Sequence, residues 1–173
     1  MQAAQRGLAW ANSCLLFIID TLASVGWSAL TVKARCAIVH RLYELIRDNS
    51  EELARLITLE HGKNHIEAMG DVSKGNETVE YACGMPTMLQ GNILEVSRGI
   101  QCSDKLVPVG IVGSIVPFNF PFMVPMWTTP IALACGNVVI LKPSEKVPLT
   151  MWRTMQVNVY TFCLFLTKLS TDN

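Results

Sequence analysis

The sequence predicts an α/β fold in which helices come first, a β-hairpin follows, and a parallel strand–helix–strand unit closes the order. Three observations carry this. Between Lys33 and Cys83 apolar residues recur at helical spacing. Around Arg98-Gly99 two extended segments flank a turn. Between Val107 and Thr150 an apolar run, a proline-rich turn, a helix-length apolar segment and a second apolar run succeed one another. Strands joined by such a crossover lie parallel, and polar residues just past their carboxyl ends stand where open α/β sheets bind ligands.

Composition sets the bounds. A chain of 173 residues builds one domain with a real core, but not two. Half the residues are hydrophobic and 16% are charged, which suits a buried α/β domain or a piece of a larger one. The 14 basic and 14 acidic residues cancel, and no basic stripe is interleaved with aromatics, so a nucleic-acid partner is not expected. Six cysteines (Cys14, Cys36, Cys83, Cys102, Cys135, Cys163) are scattered without CxxC spacing. That pattern favours a reducing compartment over a disulfide scaffold. His40, His61 and His65 form no ligand pattern with them, and no metal site is expected. Near the start, Leu15 to Ile19 resembles the apolar part of a signal peptide, but Asn12, Ser13 and Asp20 confine it. It falls short of the roughly 20 apolar residues that a membrane span needs, so no span is expected. The lack of acidic residues before Asp20 would also suit an organelle transit peptide.

The elements follow in order. Ile38, Leu42, Leu45 and Ile46 share the apolar face of a first helix beginning near Lys33. Asn49, three residues before Glu52, has the spacing of a capping box that opens a second helix through Leu53, Leu56 and Ile57. Gly62 is placed to end it in a left-handed cap. A third helix is expected from Ile66 to Cys83, stopping near Gly84 and Pro86. Residues 92–109 read as a hairpin. A strand over 110–116, a helix over 123–135 and a strand over 138–142 complete the pattern. After Thr150 no clean period appears; Val157, Val159 and Thr161 have strand-like chemistry, but nothing frames them.

Four residues attract chemical attention. Asn119 sits in Pro117-Phe118-Asn119-Phe120-Pro121, between two prolines that stiffen the loop. A held amide at a strand's carboxyl end suits stabilisation of an oxyanion; a turn asparagine bonded to its own backbone is the plain alternative. Lys142 and Glu145 bracket Pro143, which biases Lys142 toward extended backbone. Together they offer a donor and an acceptor for ribose hydroxyls, and the acid would repel a 2′-phosphate; the alternative is a solvated charge pair. Cys135 ends the apolar helix, where the dipole raises rather than lowers a thiol pKa, so a structural role is expected. No GxGxxG opens the helix, so no standard pyrophosphate cradle is expected.

Taken together, WSALTVKAR, ITLEHGK, GDVSKG, VEYACG, the PFNFP turn and LKPSEKVP resemble the aldehyde dehydrogenase superfamily. PFNFP, GDVxxG and VExAC are most similar to its CoA-acylating methylmalonate-semialdehyde dehydrogenases. The resemblance covers roughly Trp27 to Met151 and implies an incomplete aldehyde-dehydrogenase-like Rossmann domain over 27–151, with a divergent segment at 1–26 and an unrelated tail at 152–173. It implies that Asn119 is the catalytic oxyanion amide. Val116, Pro117 and Phe118 would line the nicotinamide cofactor site, Lys142 and Glu145 would clamp the adenosine ribose, and Lys146 would be a basic cofactor-binding neighbour where Arg is usual. NAD is the implied cofactor and CoA the co-substrate. In the family reaction a cysteine attacks the aldehyde, hydride passes from the thiohemiacetal to NAD, and CoA takes the acyl group from the thioester. The full-length family is expected to form homo-oligomers and, in a eukaryote, to be mitochondrial; the alternative is cytoplasmic.

The departures matter equally. No counterpart of the family's nucleophile segment, glycine-rich phosphate turn or Phe-Gly-Pro motif lies within this sequence. Lys74 stands where an Arg recognises the substrate carboxylate; Lys keeps the charge but loses the bidentate fork. The unrelated flanks are expected to reflect unspliced intron or a faulty gene model, and the chain alone is expected to be inactive. The rival reading is a non-catalytic fragment that only associates with full-length subunits. An unrelated α/β binding module is a third, against which the motif order argues.

Overall fold

A computed structural model describes residues 26–156 and the backbone of 17–18. Its first described element is the two-residue strand β1 (Phe17–Ile18). After a helical turn at 26–29, three helices follow: α1 (Val32–Asp48), α2 (Ser50–His61) and α3 (His65–Cys83). A short α4 (Met85–Met88) leads into the hairpin β2 (Ile93–Ser97) and β3 (Ile100–Ser103). Then come β4 (Ile111–Ile115), α5 (Met123–Ala134), β5 (Val138–Lys142) and a helix α6 over 149–156.

The helices form where the apolar stripe predicts. α1 turns Ile38, Val39, Leu42 and Ile46 inward and is opened by Thr31, whose hydroxyl accepts from Ala34 N–H. Burying a side chain such as Leu42 or Ile46 is worth about 1.5–3 kcal/mol. Gly62 ends α2 at φ 85°, the left-handed cap expected of it. Asn64 opens α3 by accepting from Glu67 N–H at 2.9 Å.

The capping box at Asn49 does not form. Asn49 has φ −108° and ψ 12°, away from the extended conformation an N-cap adopts. With no linker between α1 and α2, it also ends α1, and its Nδ2 donates to Leu45 O at 2.7 Å. Glu52 pairs instead with Arg153 at 2.9 Å.

β4 and β5 lie side by side and parallel, Ile111 opposite Val138 through Ile115 opposite Lys142. β1 pairs antiparallel on the other edge of β5, giving the order β1-β5-β4. α5 crosses between the two parallel strands and packs chiefly on α3 and then α1. Both ends of α5 are gripped by charges of the sign its dipole favours. At its C-terminus Arg35 Nε donates to Ala134 O at 3.0 Å, and the Trp27 indole donates to Leu133 O at 3.0 Å. At its N-terminus the Asp71 carboxylate accepts from Met123 N–H at 2.7 Å.

The core lies between α1, α2, α3, α5 and the strands, with Phe122, Met126 and Leu141 fully buried within it. α6 continues it: Met151 and Met155, one turn apart, both pack into this cluster. The helix therefore runs five residues past position 151. Val157, Val159 and Thr161, read above as strand-like, lie outside the described residues. Among the described residues no helix is long and apolar enough to cross a membrane.

Candidate functional site

The carboxyl ends of β4 and β5 meet. Val116 N–H, one residue past β4, donates to Lys142 O at 3.2 Å, so the exits of both strands are tied together. The chain leaves β4 through the turn Pro117 to Pro121 and leaves β5 through Pro143 and Ser144 to Glu145 and Lys146. The two loops then touch a second time: Lys146 Nζ lies 4.5 Å from the centroid of the Phe118 ring. A cation over an exposed ring is worth about 0.5–1 kcal/mol.

Asn119 is exposed, and its side chain makes no hydrogen bond to its own backbone or to any neighbour among the described residues. Its amide is thus available to a ligand. Pro117 and Phe118 are also exposed, whereas Val116 is 8% exposed and packs into the core. Val116 therefore presents backbone to the site, and its side chain serves the fold.

Lys142 Nζ stands 3.2 Å from Glu145 Oε2, with the two side chains 36% and 62% exposed. A pair this open adds little to stability. The Glu145 backbone N–H and then the Lys142 ammonium hold the Glu145 carboxyl below the usual carboxylate range. It is therefore ionised at neutral pH.

Lys74 lies on α3, and its ammonium is 2.9 Å from both Glu77 carboxylate oxygens. Its charge is already answered by that neighbour. Cys135 caps the C-terminus of α5 and is half-buried. Burial pushes its thiol up, against a smaller opposing pull from Arg35. Among the described residues no group of His, Cys, Asp and Glu side chains is gathered to hold a metal ion.

Sequence reasoning left three side chains without a role. Lys63 Nζ, from the loop after α2, lies 2.9 Å from Asp71 Oδ2 and 3.9 Å from the centroid of the Phe120 ring. Asp71 in turn holds Met123 N–H, as above. Glu60 accepts from Leu149 N–H at 2.7 Å and Thr150 N–H at 3.0 Å, and the Thr150 hydroxyl also bonds to it. So the short corner between α2 and α3 holds the chain beyond both strand-end loops. The usable signal was Asp71 itself, a carboxylate on the stripe Ala68, Val72, Gly75 and Val79 that α3 buries. A charge on a buried stripe demands a partner.

The sequence and the overall fold are matched in known proteins. The sequence profile described as the aldehyde dehydrogenase family matches residues 21–159. Malonate-semialdehyde dehydrogenase 2 of Bacillus thuringiensis (strain Al Hakam) is 46% identical over 132 residues, covering 76% of this chain and 27% of that protein. Among solved structures, a candidate methylmalonate-semialdehyde dehydrogenase from Sinorhizobium meliloti 1021, complexed with NAD, superposes with a TM-score of 0.78 at 37% identity; the match covers 81% of this chain and 29% of the other. An NADP-dependent enzyme of E. coli superposes with a TM-score of 0.76 at 25% identity, over 92% of this chain and 32% of its own. The chain thus spans under a third of the length of each. Profile, relatives and overall fold agree: this chain belongs to the aldehyde dehydrogenase family.

Proposed function

We propose that this chain is the cofactor-cleft portion of an NAD-dependent, CoA-acylating aldehyde dehydrogenase acting on a malonate- or methylmalonate-type semialdehyde. The names of the similar proteins support the substrate class. The observation that carries the reading is the joining of the two strand-end loops, through Val116 to Lys142 and through Lys146 to Phe118.

The donor set fits NAD. Lys142 and Glu145 offer a cation and an ionised carboxylate 3.2 Å apart at the mouth of β5, both open to solvent, as a vicinal ribose diol requires. Val116, Pro117, Phe118 and Lys146 belong to the same two joined loop exits. When bound, NAD supplies the hydride acceptor. The chain's own residues do the rest: Lys142 and Glu145 hold the ribose, and the unengaged Asn119 amide donates to the oxygen on which charge develops. Lys74 is the candidate for the substrate carboxylate and must leave Glu77 to reach it. CoA enters as acyl acceptor. No family-type nucleophile lies within residues 1–173, and Cys135 is held protonated by burial. Alone, the chain does not turn over. A mitochondrial address belongs to this proposal if the source is a eukaryote.

Related folds use both NAD and NADP, so calorimetric titration of the two cofactors tests the reading. NAD is expected to bind in preference to NADP, and Glu145→Ala is expected to weaken NAD binding and erase that preference, because the ribose hydroxyls lose a charged acceptor. Equal binding of both, untouched by Glu145→Ala, would sink the assignment. NADH formed from propanal and CoA, and abolished by Cys135→Ala, would refute the inactivity.

A further inference from the structure

We propose that Lys63 and Asp71 are positioning residues: a buried ion pair between the α2–α3 corner and the buried face of α3 that clamps the 118–123 turn and thereby sets the direction of the Asn119 amide. The proposal rests on the reading of Asn119 and its turn given under the proposed function.

Asn119 makes no hydrogen bond among the described residues, so its direction must come from the residues on either side of it. On the C-terminal side the turn is held at three successive points. The Phe120 ring lies under the Lys63 ammonium at 3.9 Å. Phe122, fully buried, packs so tightly on Gly75 that a Cβ there would come within 2.5 Å of its Cδ1. The Met123 N–H is held by Asp71 Oδ1. Two of these three contacts are polar, and both run through one pair, Lys63 Nζ to Asp71 Oδ2 at 2.9 Å.

The pair is almost sealed from water, its side chains 10% and 0% exposed. Carboxylate and ammonium that deep persist when each satisfies the other and their remaining bonding capacity is used. Here the second carboxylate oxygen goes to the backbone of α5, and the ammonium's remaining face goes to an aromatic ring of the turn. Removing either partner strands a charge and frees a segment of the turn. The other end of α5 is held separately by Arg35 and Trp27. Loss of the clamp therefore loosens the turn before it loosens the helix.

The test uses the full chain with Asp71→Asn, Lys63→Met, the double variant, Lys63→Arg, and Ile46→Val as a core control remote from the turn. Hydrogen–deuterium exchange is read over 118–124 and over 38–46 in α1, without ligand. Asp71→Asn and Lys63→Met are each expected to speed exchange of the turn about tenfold beyond any change in α1, because local opening is uncoupled from global unfolding. The double variant should add little to either single change, and Lys63→Arg should stay near wild type, since it keeps a cation for both partners. Ile46→Val should move the turn no more than α1. A turn that responds to the clamp variants no more than to Ile46→Val overturns the proposal. If Asp71→Asn does not fold, the Lys63 variants decide. NAD titration of the same set separates the two readings. Weaker NAD binding in Lys63→Met but not in Ile46→Val supports positioning. Loosening of the turn with unchanged NAD affinity overturns positioning and leaves only a structural clamp. Absence of NAD binding in the wild-type chain instead overturns the cofactor reading, while the exchange result stands by itself.

Discussion

Asn119 projects from a turn with its amide unengaged among the described residues, while Cys135 is half-buried at the negative end of a helix. The thiols allow a direct check. Burial pushes Cys83 up to about 11 and raises Cys36 and Cys135, whereas Cys102 is exposed on the hairpin. Only the thiolate alkylates, so among these four Cys102 should react first with maleimide near neutral pH, and Cys83 should lag at least about tenfold. Peptide mapping by mass spectrometry reads the order, and early labelling of Cys135 would contradict the structural role given to it. Asn119, Lys142 and Glu145 were legible because prolines and strand ends mark their places within a few residues. Lys63, Asp71 and Glu60 were not, because what they do depends on partners far along the chain: Asp71 bonds 52 residues away and Glu60 89 residues away.

Among the elements, the junction of α2 with α6 carries a titratable cap. Desolvation raises the Glu60 pKa, outweighing the opposing bonds from Thr150 and Leu149. The folded chain then holds this proton more tightly than the unfolded chain. The stability it contributes is complete below the unfolded pKa and is lost as pH rises through the folded one. Denaturant unfolding followed from about pH 4 to about pH 7 should therefore show a fall that Glu60→Gln flattens, because the amide cannot ionise. A wild-type-minus-variant difference that stays constant across that window would contradict this. The periods of α1 and α2 were plain in the sequence, as were the extents of α3 and of the all-apolar α5 and the glycine cap at Gly62. The capping box failed for a reason spacing does not reveal. Asn49 serves two helices at once, and the first claims its side chain. α6 was missed because its buried face is made of Thr150, Met151, Thr154 and Met155, and two apolar residues among them are too few to establish a period.

As a whole molecule, the chain has a sound helical core beside a sheet with an open side. Among the described residues β4 pairs only with β5, and along its length Ile111 and Ile115 are 59% and 82% exposed. In the hairpin, Ile93 and Leu94 point to opposite faces of the strand, yet both are exposed, at 74% and 65%. A two-stranded hairpin with neither face covered is marginal, and an apolar edge strand templates association. The isolated chain should therefore elute as more than a monomer and melt broadly, with α1 and α2 the last parts to lose helicity by circular dichroism. A monodisperse monomer with one sharp melt would show the sheet to be complete as it stands. The order of helices, hairpin and strand–helix–strand unit was readable because helical spacing, a turn between extended segments and a pair of apolar runs around a helix-length segment mark them in turn. β1 was not, since two residues in a stretch resembling a leader carry no period at all. Whether one cofactor crevice lies across the ends of β4 and β5, as proposed, is tested most directly by hydrogen–deuterium exchange with and without saturating NAD. Protection is predicted in the segments 114–120 and 141–147, with α1 and the hairpin unchanged. Protection confined to the helices or the hairpin, or none anywhere, would contradict it.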